Sequence, residues 1–154
     1  VWKEYPSQVN SASVSPDGKL VAVVNYVGGK TSTFWVLVYD RATGMEKYRF
    51  PAHDRAPGGC VGFTPDGKRI VSSTATSEDG RTEKLHARIG DAATGKEIRS
   101  IPLRPGQYLY SQKLYAVSDK VLVIAGKNQA ATVYDLATGK PLGDLPGVQR
   151  LEKI

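Results

Sequence analysis

The sequence predicts an all-β protein made of about three repeats, each of four antiparallel strands. Three observations predict it. Two turn motifs recur in step along the chain, short apolar β-branched runs lie between them, and no segment sustains a 3.6-residue period.

The first motif, Ser15-Pro16-Asp17-Gly18-Lys19, returns 49 residues later as Thr64-Pro65-Asp66-Gly67-Lys68. A degraded third copy, Val117-Ser118-Asp119-Lys120, has lost the proline and the glycine. The second motif reads Tyr39-Asp40-Arg41-Ala42-Thr43-Gly44, then Gly90-Asp91-Ala92-Ala93-Thr94-Gly95, then Tyr134-Asp135-Leu136-Ala137-Thr138-Gly139. Proline presets φ for a turn, aspartate bonds its own backbone, and glycine accepts positive φ without steric cost. Asp and Thr side chains cap the second loop and its glycine closes it.

In the first repeat a strand precedes Pro16, and further strands follow at Leu20 to Val24, Phe34 to Tyr39 and Glu46 to Phe50. The second repeat gives Ile70 to Ser73, Leu85 to Ile89 and Glu97 to Ile101, with a long connection from about Ala75 to Glu83. The third gives Val121 to Ala125, Ala131 to Tyr134 and Pro141 to Leu145. Continuous apolar runs suit strands covered on both faces. The more polar runs after each Thr-Gly suit strands at an edge or with one wet side. Four antiparallel strands in each 40–50-residue repeat is the pattern of β-propeller blades. The blades run approximately over residues 5–53, 54–103 and 104–147.

Val1-Trp2-Lys3-Glu4-Tyr5 reads as the last strand of a preceding blade, and Val148 to Ile154 as the start of a following one. Complete propellers hold about four to eight blades. The expectation is a piece of a larger propeller or an assembly in which copies complete the ring, the piece being favoured because the chain starts at Val1 and not at Met.

These residues resemble the WD40 family, whose repeats carry a Ser-Pro-Asp-Gly-Lys turn, a Trp-Asp dipeptide and then Ala-Thr-Gly-Lys. The resemblance covers roughly residues 5 to 147. Tyr39-Asp40, Gly90-Asp91 and Tyr134-Asp135 stand at the Trp-Asp position, so tryptophan is absent from all three. His53 resembles the Gly-His histidine that opens a repeat, with Ala52 in place of the glycine. The hydrogen-bonded His, Ser/Thr, Asp and Trp set of many WD40 blades lacks a member in each repeat. The turns are also similar to those of WD40-like propellers in periplasmic and peptidase-associated proteins, which have the same architecture. The resemblance implies a binding module that is not a catalyst.

The composition agrees with a folded domain: 40% hydrophobic and 23% charged residues exclude a disordered chain. No apolar run reaches the roughly 18 residues of a spanning helix, so membrane insertion is not expected. Cys60 is alone, which excludes an internal disulfide and a thiol metal cluster, and leans toward a reducing compartment such as the cytoplasm. The net charge of +6 raises nucleic acid as a partner, but no run of four basic residues occurs and the charge reads as a solvated surface.

No catalytic motif survives inspection. Gly29-Lys30-Thr31 resembles the end of a phosphate-binding loop, yet Val24 stands where the earlier glycine is required and no helix follows. His53 and His86 lie in different repeats with no third ligand, and Ser77-Glu78-Asp79-Gly80 lacks the alternating acids of a calcium loop. No metal or cofactor is expected.

The candidate sites are therefore interaction loops. They are Gly28 to Ser32 with Gly29 and Lys30, His53 to Gly59 with His53 and Arg55, Ser77 to Glu83 with Asp79 and Arg81, and Arg104 to Tyr110 with Arg104, Tyr108 and Tyr110. Tyr and Arg are common interface anchors. The expected partners are proteins, or further blades from this chain or another copy. An accessory propeller of a larger enzyme is the alternative, and a basic surface for nucleic acid the second alternative.

Overall fold

The computed structural model describes residues 9–27, 33–53, 59–77, 83–103, 113–116, 118–125 and 130–145. Every element among them is a strand. The first blade holds β1 (Val9–Val14), β2 (Leu20–Val27), β3 (Thr33–Asp40) and β4 (Glu46–His53). The second holds β5 (Val61–Phe63), β6 (Arg69–Ser77), β7 (Glu83–Asp91) and β8 (Glu97–Pro102). The third holds β9 (Lys113–Ala116), β10 (Val121–Ala125), β11 (Ala131–Asp135) and β12 (Pro141–Leu145). Within each blade consecutive strands pair antiparallel. One parallel bridge, His53 to Ala75, joins the first blade to the second.

Each blade is the same piece of chain folded the same way. Val36 pairs with Phe50, Ala87 with Ile101 and Ala131 with Leu145. The register slips at the same place each time, between Val38 and Tyr39, Ile89 and Gly90, Val133 and Tyr134. This bulge sits beside the Asp-x-x-Thr-Gly turn, where one extra residue twists the outer strand.

The long connection expected over Ala75 to Glu83 is shorter in the fold. β6 continues to Ser77 and pairs through Thr76–Lys84 and Ser77–Glu83, so the connection is 78–82. The sequence there is polar and carries no apolar run, but threonine is a strand former, and pairing with β7 extends the ladder. The first blade's matching connection, 28–32, has the same length.

The core lies between blades. Ala22, Val24, Val36, Val38, Phe50 and Ala52 of the first blade pack on Val61, Phe63, Ile70 and Ala92 of the second. Val71, Ala87, Ile89 and Ile101 of the second pack on Leu122, Ile124, Tyr134 and Leu136 of the third. Successive side chains point to opposite faces of a strand, so β6 serves both joints: Ile70 faces one and Val71 the other. This double use explains the continuous apolar runs.

Candidate functional site

The connections alternate between two ends of the blades. The motif turns 15–19, 41–45, 64–68, 92–96, 117–120 and 136–140 share one end. The connections 28–32, 54–60, 78–82, 103–112 and 126–130 leave from the opposite strand ends.

Most turn aspartates are satisfied within their own turns. Asp40 Oδ1 accepts the Thr43 N–H at 2.9 Å and the Thr43 hydroxyl at 3.0 Å. Asp91 does the same with Thr94, both at 2.8 Å, and Asp135 with Thr138 at 2.6 and 2.9 Å. Gly44, Gly95 and Gly139 each donate N–H to the carbonyl of that aspartate, at positive φ of 68°, 71° and 73°. In the other turn Asp17 Oδ1 takes the Ser15 hydroxyl and the Lys19 N–H, and Asp66 Oδ1 takes the Thr64 hydroxyl and the Lys68 N–H. Donors aimed at a carboxylate favour its charged form. Asp17, Asp40, Asp66, Asp91 and Asp135 are all held below the ordinary carboxylate range, chiefly by these Ser and Thr bonds.

The degraded third copy solves the turn differently. Ser118 Oγ takes the N–H groups of Lys120 and Val121, both at 3.1 Å. Asp119 is thereby freed to reach the second blade, where its Oδ1 accepts the Asp66 N–H at 2.8 Å and its carbonyl accepts Arg69 Nη1 at 2.9 Å.

A side chain four residues beyond the turn glycine latches the first blade to the second and the second to the third. Tyr48 donates its hydroxyl to the Ala92 carbonyl at 2.6 Å, and its ring lies where a Cβ on Gly95 would go. Burial first, then the Asp91 charge, pushes the Tyr48 hydroxyl up to about 12, so it stays a neutral donor. Arg99 holds the matching place, with Nη1 donating to the Thr138 carbonyl at 3.4 Å and its chain against Gly139. Arg88 also lies over the Phe50 ring, 3.8 Å from its centre, and bonds Glu97 and the Gly95 carbonyl. Sequence reasoning missed these contacts. Aligning the repeats on the turn glycine would have shown the position, which reads Tyr48, Arg99, Gly143.

Of the expected interaction residues, Gly29, Lys30, Arg55, Asp79, Arg81, Arg104, Tyr108 and Tyr110 lie outside the described residues. His53 closes β4, its backbone paired with Phe34 and Ala75. The strands that flank all four loops are described, and they end on the same side of the blades. Among the described residues no three His, Cys, Asp or Glu side chains group as metal ligands, and no helix is long and apolar enough to cross a membrane.

No protein-family model matches the chain. A curated relative, the meiotic recombination protein rec14 of Schizosaccharomyces pombe, is 25% identical over 138 residues, which is 88% of this chain and 39% of the relative. Among solved structures, U3-55K superposes with a TM-score of 0.68 at 14% identity, over 94% of this chain and 41% of that one. The WD40 domain of Toxoplasma gondii coronin gives 0.66 at 15% identity, over 90% and 34%. Hydrazine synthase of Kuenenia stuttgartiensis gives 0.61 at 19%, over 89% and 36%. The chain thus spans about two fifths or less of each. Strand order, pairing and these superpositions agree that the fold is a set of WD40-type β-propeller blades.

Proposed function

We propose that this chain is a non-catalytic protein-interaction scaffold whose binding surface is the loop end of the blades. One observation carries the reading. At the turn end five of the six connections repeat two motifs whose aspartates are occupied by their own turns, whereas the connections at the opposite end share no motif and the two between blades, 54–60 and 103–112, differ in length. A frame that is constant at one end and variable at the other suits recognition by the variable end. Arg55, Arg81, Arg104, Tyr108 and Tyr110 supply the Tyr and Arg anchors that interfaces favour, beside Lys30 and His53. The rec14 resemblance makes meiotic recombination proteins a first set of partners to try.

The test compares two alanine blocks. One replaces Lys30, Arg55, Arg81, Arg104, Tyr108 and Tyr110, and the other replaces Lys19, Lys68 and Lys140 at the turn end. Partners recovered with the unaltered chain are quantified for each. Loss with the loop block alone supports the reading; loss with the turn block alone overturns it.

The resemblance to a hydrazine synthase chain favours a second reading, an accessory propeller of a larger enzyme. The chemistry would then belong to other chains or domains, and removing this chain would change substrate access and not the chemical step. Nucleic acid is the weakest reading, because the turn residues Lys19, Lys68 and Lys96 each stand near an aspartate of their own turn. Binding that fell steeply with added salt would revive it.

A further inference from the structure

At the turn end of each joint the outer strand of one blade meets the third strand of the next, and the two joints carry the same side-chain types from opposite sides. Tyr39, Gly90 and Tyr134 are equivalent. Each precedes its turn aspartate and pairs with the second residue of the strand before it, Val21, Ile70 or Leu122. Two residues earlier, Leu37, Arg88 and Thr132 are equivalent and pair with Val23, Ser72 and Ile124. Tyr48 and Arg99 are equivalent on the outer strands, each four residues beyond its turn glycine. In the first joint the first blade brings a ring, Tyr48, and the second brings Arg88 with no side chain at Gly90. In the second joint the second blade brings Arg99, and the third brings a ring, Tyr134, which is 1% exposed.

Packing around Gly90 explains why the first joint takes its ring from one side only. The Tyr48 ring already lies where a Cβ on Gly95 would go. A Cβ on Gly90 would sit 3.1 Å from Arg88 Nη1, 3.3 Å from Ile70 Cγ2 and 3.4 Å from the Lys96 carbonyl oxygen. Even a methyl group is tight there, and a tyrosine ring would have to displace the guanidinium. The guanidinium is well held. Nη2 donates to the Gly95 carbonyl at 2.7 Å, Nε donates to Glu97 at 3.1 Å, and the head lies 3.8 Å from the centre of the Phe50 ring. Arginine suits the place because a planar head that stacks on a ring is carried on an apolar stem, and Glu97 balances its charge.

We propose that the turn end of a joint takes one tyrosine ring and one arginine side chain from opposite blades, and that Arg88 beside Gly90 is the second blade's adaptation to Tyr48. An outer strand that carries a ring is matched to a following blade that carries none, and an outer strand that carries arginine to a following blade with a ring. The residues at 48, 88 and 90 therefore select which blade faces which. Arg88 is a positioning residue of the frame, and the device holds whatever the loop end binds. It also accounts for the second repeat's lack of an aromatic residue before Asp91, where the first and third have Tyr39 and Tyr134.

The test is a double-variant cycle read by urea denaturation of the full chain. Gly90→Tyr alone overpacks the joint and is expected to lower the urea midpoint by about 1 M. Arg88→Thr alone removes the contacts to Gly95, Glu97 and Phe50 and is expected to lower it by about the same. The two together give the second blade the Thr-x-Tyr pair of the third, and at least half of the summed loss is expected to return. Adding Tyr48→Arg, which completes the second joint's set, is expected to raise the midpoint of that double variant although it lowers the midpoint of the unaltered chain. Strict additivity of Arg88→Thr and Gly90→Tyr, or a Tyr48→Arg cost that is the same in both backgrounds, overturns the proposal. Gly90→Ala adds only the methyl group and keeps the test open should Gly90→Tyr fail to fold. Its cost is expected to fall by at least half in the Arg88→Thr background, and a cost that stays the same overturns the proposal as well.

Discussion

At Gly95 two requirements coincide. The residue has φ of 71°, and a Cβ there would meet Tyr48 Cε2 at 2.7 Å. Gly18 has the same φ and nothing within 4 Å. An L side chain in the left-handed region costs about 1–2 kcal/mol, which both Gly18→Ala and Gly95→Ala incur. Gly95→Ala must also displace the Tyr48 ring and its bond to the Ala92 carbonyl, worth about another 1 kcal/mol. Urea midpoints are therefore expected to show Gly95→Ala as the more damaging, with the excess vanishing in a Tyr48→Ala background. Equal costs in the unaltered background would remove Tyr48 from the role of latch. The turn aspartates make a second residue-scale prediction. Asp91 is held below its ordinary value of 3.8 in the folded chain, so it binds protons less readily there than in the unfolded chain. Its contribution is complete above that ordinary value and is lost as the pH falls through the lower folded value. Melting temperature should fall with acidification in that window, and Asp91→Asn should flatten the fall.

At the scale of the element, burial differs at one repeated position, and the cost of truncation should follow it. Ile101→Ala opens a cavity between blades and is expected to cost about 2–5 kcal/mol. Leu145→Ala, at the same place in the third blade, is expected to cost about 0.5 kcal/mol or less in dilute solution. Chemical denaturation of the two variants checks the pair. This scale is also where the sequence was most legible. Val121 to Ala125 and Pro141 to Leu145 read as strands with the bounds they have in the fold, because turn residues flank them on both sides. Leu20 to Val24 and Ile70 to Ser73 read short, because their far halves, Asn25 to Val27 and Thr74 to Ser77, mix polar residues into the run. Turns were legible because their chemistry is local: Asp, Thr and Gly within six residues make every bond they need. The latch was not, because Tyr48 and Gly95 meet only when two blades stack, and no local pattern records that meeting. The loops chosen for interaction were legible only as connections between strands.

For the whole molecule, stability is shared between two joints that have no residue in common. Val36, Phe50, Phe63 and Ile70 belong to the first, and Ile89, Ile101, Leu122 and Ile124 to the second. In repeat architectures stability is approximately a sum of repeat and neighbour-interface contributions. The costs of Val36→Ala and Leu122→Ala are therefore expected to add within about 0.5 kcal/mol in the double variant, since sites without shared partners are usually independent. Urea denaturation of the two single variants and of the double variant checks this. β6 links the joints, because Ile70 faces the first and Val71 the second. A double variant that departs from the sum by more than about 1 kcal/mol would mean that a change in one joint reaches the other through β6.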